Sequence, residues 1–262
     1  MFDWYIFKKN LKRYLQYGLW IGIVIFLVGQ LATCSSTVHQ GVTFIKQPIY
    51  NALFSVKREK IPLQHMQEIY TPYQDISPKS KMRINGYTII KTFVKTYQGY
   101  GRVGYMDTND ALIKGWYLSS MNKVYAREYK AVASHDLLVV FGKAAQPNIF
   151  KQLTFEHEEN LGVVSWPSHM RHMTPDFSNI HIISANERIK RGVSVLRKGD
   201  EVYMEGFLMD WGGTVSNPQQ DLYYKTARSG NDISAQKAGG RQTGLCLQLY
   251  LTKLIINGYV YK

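Results

Sequence analysis

The sequence predicts a β-rich α+β fold: an N-terminal transmembrane helix followed by a small mixed or antiparallel sheet, or barrel-like domain, on the periplasmic side. Three observations predict it. Residues 14–34 carry no charge and only two strongly polar side chains, Gln16 and Gln30. From residue 86 onward, β-branched and aromatic runs recur between Gly, Pro and Asn/Asp clusters, the pattern of short strands. Few stretches there show the 3.6-residue apolar period of a helix.

The N-terminal run fixes the expected location. From Tyr17 to Cys34 it is about long enough to cross a hydrocarbon core of roughly 30 Å at about 1.5 Å per helical residue. A helix satisfies its own backbone hydrogen bonds and is stable in lipid where a loop is not. Trp20, Ile21, Ile23, Val24, Ile25, Phe26 and Leu27 form the apolar centre of this anchor. Lys8, Lys9, Lys12 and Arg13 precede it, and basic residues stay on the cytoplasmic side. Residues 1–13 are therefore expected in the cytoplasm and residues 35–262 beyond the inner membrane, in a single-pass arrangement. A retained signal anchor is preferred to a cleaved signal peptide, because no small-x-small cleavage site follows. Leu31-Ala-Thr-Cys34 resembles a lipobox and makes Cys34 the candidate lipidation residue, although Thr33 stands where Gly, Ala or Ser is usual. A buried helix of a soluble protein is the remaining reading, and nothing downstream reads as its helical partners.

Composition narrows the function classes. The chain of 262 residues has 45% hydrophobic content, ample for one larger domain or two small ones. Its two cysteines, Cys34 and Cys246, exclude a disulfide framework, and Cys246 reads as a small buried hydrophobe in a strand. The net charge is +13. Four of the 32 basic residues and one of the 19 acidic ones precede residue 35, leaving about +10 beyond the anchor. Such a surface attracts anionic lipid or an acidic partner, and beyond a membrane nucleic acid is not the expected one.

Along the chain, residues 35–85 read as a tether with short elements at 42–45 and 49–56, punctuated by Pro62, Pro72 and Pro78. The domain proper is expected over 86–262. A strand runs to Tyr97; Gly99, Gly101 and Gly104 then break it, with Val103 to Met106 as the return strand. Asp107-Thr-Asn-Asp110 supplies helix-start residues for an amphipathic helix over 111–121. Leu137 to Phe141, apolar on both faces, is expected to be a central strand. Leu153–Phe155 and Val163–Trp166 form another pair. Ile180 to Ile183 is a strand, and Ser184-Ala-Asn-Glu187 has capping-box spacing ahead of a helix with Ile189, Val193 and Leu196 on one face. Lys198-Gly-Asp200 turns into a strand over 201–210, with Val202, Met204 and Phe207 inward and a break at Gly206. Residues 229–243 are polar and glycine-rich, a mobile loop. Residues 245–256 and 259–261 close the domain as strands.

The phrases Ile180-His-Ile-Ile-Ser-Ala-Asn-Glu187, Lys198-Gly-Asp-Glu-Val202 and Gly206-Phe-Leu208 resemble those of a set of uncharacterised, membrane-anchored bacterial envelope proteins. These share His-x-Ile-x-Ala-Asn, a Gly-Asp turn, a Gly-Tyr-Leu strand and a Thr-Gly-x-x-Cys segment. Thr243-Gly-Leu-Cys246 matches the last with one residue fewer, and Tyr87 to Trp116 is similar to their upstream half. The chain departs from them between Trp211 and Gly240. The resemblance implies an envelope location and no activity. A Gly-Asp turn leading into a strand that ends in Gly-Phe-Leu is also common in small oligomer-binding barrels, an analogy of fold alone.

Chemical motifs are sparse. Gly99-Tyr-Gly-Arg-Val-Gly104 matches the dinucleotide fingerprint by letter, but a strand and not a helix follows it. His169-Met-Arg-His172, with His157, Glu158, Glu159 and His181, offers ligand types without a convergent framework, and surface histidines are the default. Ser120-Met-Asn-Lys123 lacks the companion motifs of penicillin-recognising enzymes. His135-Asp136 has no nucleophile nearby in sequence. No catalytic, cofactor-binding or metal-binding residue is therefore assigned. The 19 tyrosines, Tyr223-Tyr224 among them, suit protein interfaces. The expected function is that of a non-enzymatic envelope protein binding partners in a multi-subunit assembly such as a secretion or transport machine. The alternative is an envelope hydrolase acting on peptidoglycan or peptides, with His157, Glu158, His169 and His172 as its first suspects. An adaptor for anionic lipid or DNA is the third reading.

Overall fold

The computed structural model describes residues 57–60, 66–71, 74–108, 129–158, 161–170, 172–173, 175–212, 224–226, 241–244 and 246–262. The chain divides into Met1–Ser55 and Val56–Lys262, and every described residue belongs to the second unit. The anticipated 14–34 span, Cys34, the elements at 42–45 and 49–56 and the 111–121 helix lie outside the described residues. Among the described residues no helix is long and apolar enough to cross a membrane.

The described strands are β1 (Glu68–Tyr70), β2 (Ser80–Ile84), β3 (Tyr87–Thr108), β4 (His135–Phe141), β5 (Thr154–Glu158), β6 (Leu161–Ser165), β7 (Asp176–Ser184), β8 (Glu201–Gly212), β9 (Arg241–Gly244), β10 (Cys246–Ile256) and β11 (Tyr259–Tyr261). The domain is β-rich with a mixed sheet, as the sequence implies. Five strands form a ring: β3 pairs β4, β4 pairs β7, β7 pairs β10, β10 pairs β8, and β8 returns to β3. Only the β7–β10 pairing among these five is parallel. Closure is made possible by the length of β3. Its residues 90–102 pair with β8 and 102–108 with β4.

The glycines of β3 correct the expectation of a hairpin at 99–104. The strand continues through them, with a register shift against β4 at Gly104. A side chain at Gly101 would run into the Val140 carbonyl oxygen, and one at Gly104 would come 2.5 Å from the Phe155 ring. They are there for close packing and not for a turn. True tight turns occur at Asn85-Gly86 and Asn257-Gly258, where both residues have positive φ, as a type I′ hairpin requires. The first of these joins β2 to β3 across the expected boundary at residue 85. The described parts of the expected tether are thus built into the sheet: β1 and β2 pair with β3, and Arg58 bridges Tyr259.

Helix α1 (Glu187–Ser194) follows β7. Its N-cap is Asn186, whose side chain accepts a 2.9 Å hydrogen bond from Ile189 N, and not Ser184 as the capping-box spacing suggests. The reason is that β7 extends through Ser184 and leaves the cap to the next suitable side chain. Ile189 and Val193 are fully buried, and Gly192 lets the helix lie against Tyr261 and Leu254. The turn at Gly199 is as expected, with φ +92°. β8 does not break at Gly206, where the backbone passes against the Tyr250 carbonyl. Phe207 is half-buried and stacks on Phe93 at 4.8 Å, while Leu208 and Met209 are buried.

A second, three-stranded sheet, β5–β6–β9, covers one face of β4 and β7. Leu138, Val140 and Phe177 meet Val164, Trp166, Phe150 and Leu153 there, each such side chain contributing about 1.5–3 kcal/mol. The pair anticipated at 153–155 and 163–166 is present as β5–β6. β9 takes residues 241–243 out of the expected mobile loop and pairs them with β6; residues 229–240 lie outside the described residues.

Candidate functional site

Covering both faces of β4 and β7 creates an unusual demand: any ionisable residue there must be buried. Asp136, 1% exposed, faces His181 of β7, 3% exposed, as directly paired residues on one face of the sheet. Side chains so paired stand about 4.5–5.5 Å apart at Cβ, within reach of each other. The Asp136 carboxylate contacts Nδ1 of His181. His157 approaches from β5, with Nε2 3.6 Å from the other carboxylate oxygen. Its ring stacks on Tyr105, whose hydroxyl donates to Asp107 at 2.9 Å.

The row continues onto β10, where Gln248 stands opposite His181. Gln248 Oε1 accepts from Trp211 Nε1 at 3.1 Å, and its amide donates to the Tyr129 hydroxyl at 3.4 Å. Two residue pairs along, on the same face, Asn179 faces Cys246, and the Asn179 amide donates to Sγ at 3.0 Å. Cys246 lies on the same face as His181, diagonally across the β7–β10 register. It is a free thiol in a strand, as the sequence suggests, but half-buried rather than buried, unlike the two residues behind it. The Asn179 Oδ1 is buried without a hydrogen-bond partner among the described residues. Gly162 brings β6 against this row, since a Cβ there would lie 3.0 Å from that of Asn179.

Electrostatics separate the two histidines around the one carboxylate. Burial alone would lower the pKa of His181, but Asp136 and Cys246, through charge and hydrogen bonds, raise it well above its ordinary value. His157 goes the other way: burial lowers its pKa and the neighbouring His181 adds to that, against the pull of Asp136. One imidazole is held charged and the other neutral, the kind of division that marks acid and base roles. Tyr129, fully buried and edge-on to His181, is pushed up by burial and by Asp136.

The arrangement is a carboxylate in contact with an imidazole and a thiol on the neighbouring strand beside it, with exposure rising from Asp136 to Cys246. A protonated imidazole beside a thiol favours its thiolate, and a buried carboxylate behind the imidazole orients and stabilises that cation.

Compared with family models, curated proteins and solved structures, the chain has no significant match. The chemistry is therefore argued from geometry alone.

Of the histidines grouped in the sequence, the structure brings His157 and His181 together around Asp136 and leaves His169 and His172 on the wall of a different cavity. The expectation of surface histidines fails for the first two, whose side chains are 6% and 4% exposed. Among the described residues no three His, Cys, Asp or Glu form a metal-holding group. Ser120 to Lys123 lies outside the described residues. Cys246 was not legible as a site residue. The available signal was an ionisable pair, His135-Asp136, opening a run apolar on both faces.

Proposed function

We propose that this chain is an envelope hydrolase in which Cys246 is the nucleophile, His181 the proton carrier and Asp136 its orienting partner, acting on an amide bond of peptidoglycan or a peptide. The observation that carries the reading is the placement of Asp136, His181 and Cys246 on one face of the sheet, with Asp136 in contact with His181 and the thiol diagonal to it at the more exposed end. In this scheme Sγ attacks the carbonyl carbon as the thiolate, paired with the protonated His181. The proton passes to the leaving amine as the C–N bond breaks, and water then hydrolyses the thioester and restores the thiol. The suspects move accordingly. His157 remains beside the site, whereas His169 and His172 do not.

The membrane anchor over 14–34, the periplasmic placement and the candidate lipidation of Cys34 belong to this proposal and rest on the sequence. A second reading keeps the domain as a non-enzymatic module that binds envelope partners in a larger assembly. It is favoured by the five-strand ring, an architecture shared with oligomer-binding barrels, and by the basic excess.

Cysteine alkylation separates the two. In the full chain with Cys34→Ser, Cys246 should react with iodoacetamide at least about tenfold faster than in the His181→Gln variant. The native chain should also release amino groups from isolated peptidoglycan, and the Cys246→Ser variant should not. Equal alkylation rates with no release would leave the binding module as the surviving reading.

A further inference from the structure

We propose that His169, Met170, His172 and Met173 form a binding site for a soft monovalent metal ion of the Cu(I) type, separate from the Cys246 site. All four line one cavity of about 400 Å³. The backbone explains how two histidines and two methionines within residues 169–173 share one wall. Met170 N bonds the Pro167 carbonyl at 2.9 Å, and Met173 N bonds the Met170 carbonyl at 2.8 Å. Successive three-residue turns of this kind bring positions i and i+3 to the same side. Met170 is thereby set beside Met173, and His169 beside His172.

The chemistry of the wall selects the ion. Thioethers are soft ligands and imidazole is intermediate, a combination suited to Cu(I) and poor for Mg²⁺ or Ca²⁺. Among the described residues no carboxylate lines the cavity, and Lys143 does, which disfavours a divalent ion relative to a singly charged one. Both methionines are half-buried, packed at the edge of the apolar cluster under β5 and β6, while His169 and His172 are exposed and open the wall to incoming ions.

His169 carries the second observation. Its Nε2 lies 3.0 Å from Gln152 Oε1. The Gln152 amide nitrogen is itself committed, donating to the Asn148 carbonyl at 3.0 Å, so it is the oxygen that faces the ring. Nε2 must then carry the hydrogen, and Nδ1 keeps its lone pair. A carbonyl oxygen that fixes the tautomer of an imidazole is the usual support of a metal-bound histidine.

The test uses the full chain in detergent with Cys34→Ser and Cys246→Ser, so that no thiol can hold copper. Cu(I) is supplied anaerobically against a chromophoric bicinchoninate competitor. The expected result is about one equivalent bound per chain. Met170→Leu with Met173→Leu should weaken it at least tenfold, a substitution that keeps side-chain volume and hence packing. Gln152→Leu should weaken it by roughly 10–100-fold through the tautomer alone. Failure to take Cu(I) from the competitor would overturn the proposal. So would binding unchanged in the double methionine variant, or a preference for Zn²⁺ over Cu(I). Because the thiols are absent throughout, none of these outcomes bears on the Cys246 reading.

Discussion

Replacing Asp136 by Asn tests the central contact most directly. Asp136 and His181 are 1% and 3% exposed, so the substitution leaves an imidazole buried without its counter-charge. Breaking a buried pair by removing one partner costs about 3–5 kcal/mol. For a domain of this size that lowers Tm by roughly 6–20 °C, at about 2–4 °C per kcal/mol. The pH dependence carries a sign. The folded pKa of His181 is raised above its unfolded value, so its stabilisation is fully present below about pH 6.5 and is lost as pH rises through the folded pKa. His157, whose folded pKa is lowered, contributes oppositely: its share is present above about pH 6.5 and lost as pH falls through the folded value. One proton limits either effect to about 1.4 kcal/mol per pH unit. Thermal unfolding of the full chain at pH 5.5, 7 and 8.5 reads both. In Asp136→Asn the decline on the alkaline side should vanish, because the buried imidazole no longer holds its proton. The double variant Asp136→Asn with His181→Gln should be no less stable than Asp136→Asn alone. A single variant as stable as the native chain, with its alkaline decline intact, would refute the reasoning.

Two further outcomes concern the fold. Asn186→Ala should cost about 1 kcal/mol through loss of the helix cap, measured by the same melts, whereas Ser184→Ala should leave the cap bond intact. Gly101→Ala should destabilise by about 1–3 kcal/mol, towards the upper end because the obstacle is the Val140 backbone, which cannot rotate away. A neutral result at Gly101 would remove the close-packing role of that glycine.

The outcome at individual residues shows where pattern reading succeeds. Leu137 to Phe141 is legible as a central strand because burial on both faces removes polar alternation, and the structure seats β4 between β3 and β7. The turn at Gly199 and the strand pair β5–β6 are legible for the same kind of local reason. The glycines of β3 mislead because a glycine needed for close approach and one needed for a turn look alike in one dimension. Asn85-Gly86 and Asn257-Gly258 carry the strongest short hairpin signal in the chain and were open to reading. Register decides the candidate site: 45 residues separate Asp136 from His181 along the chain, and 65 separate His181 from Cys246.

By itself the sequence determined a β-rich domain, its basic charge and the apolar run that precedes it, since these follow from local composition and period. Only the tertiary structure decided that β3 closes a ring, that Asp136, His157, His181 and Cys246 converge, and that His169 and His172 face elsewhere. The physical reason is that strand pairing and sheet-on-sheet burial are long-range. Which side chains share a face, and which lose their water, is set by partners far away along the chain.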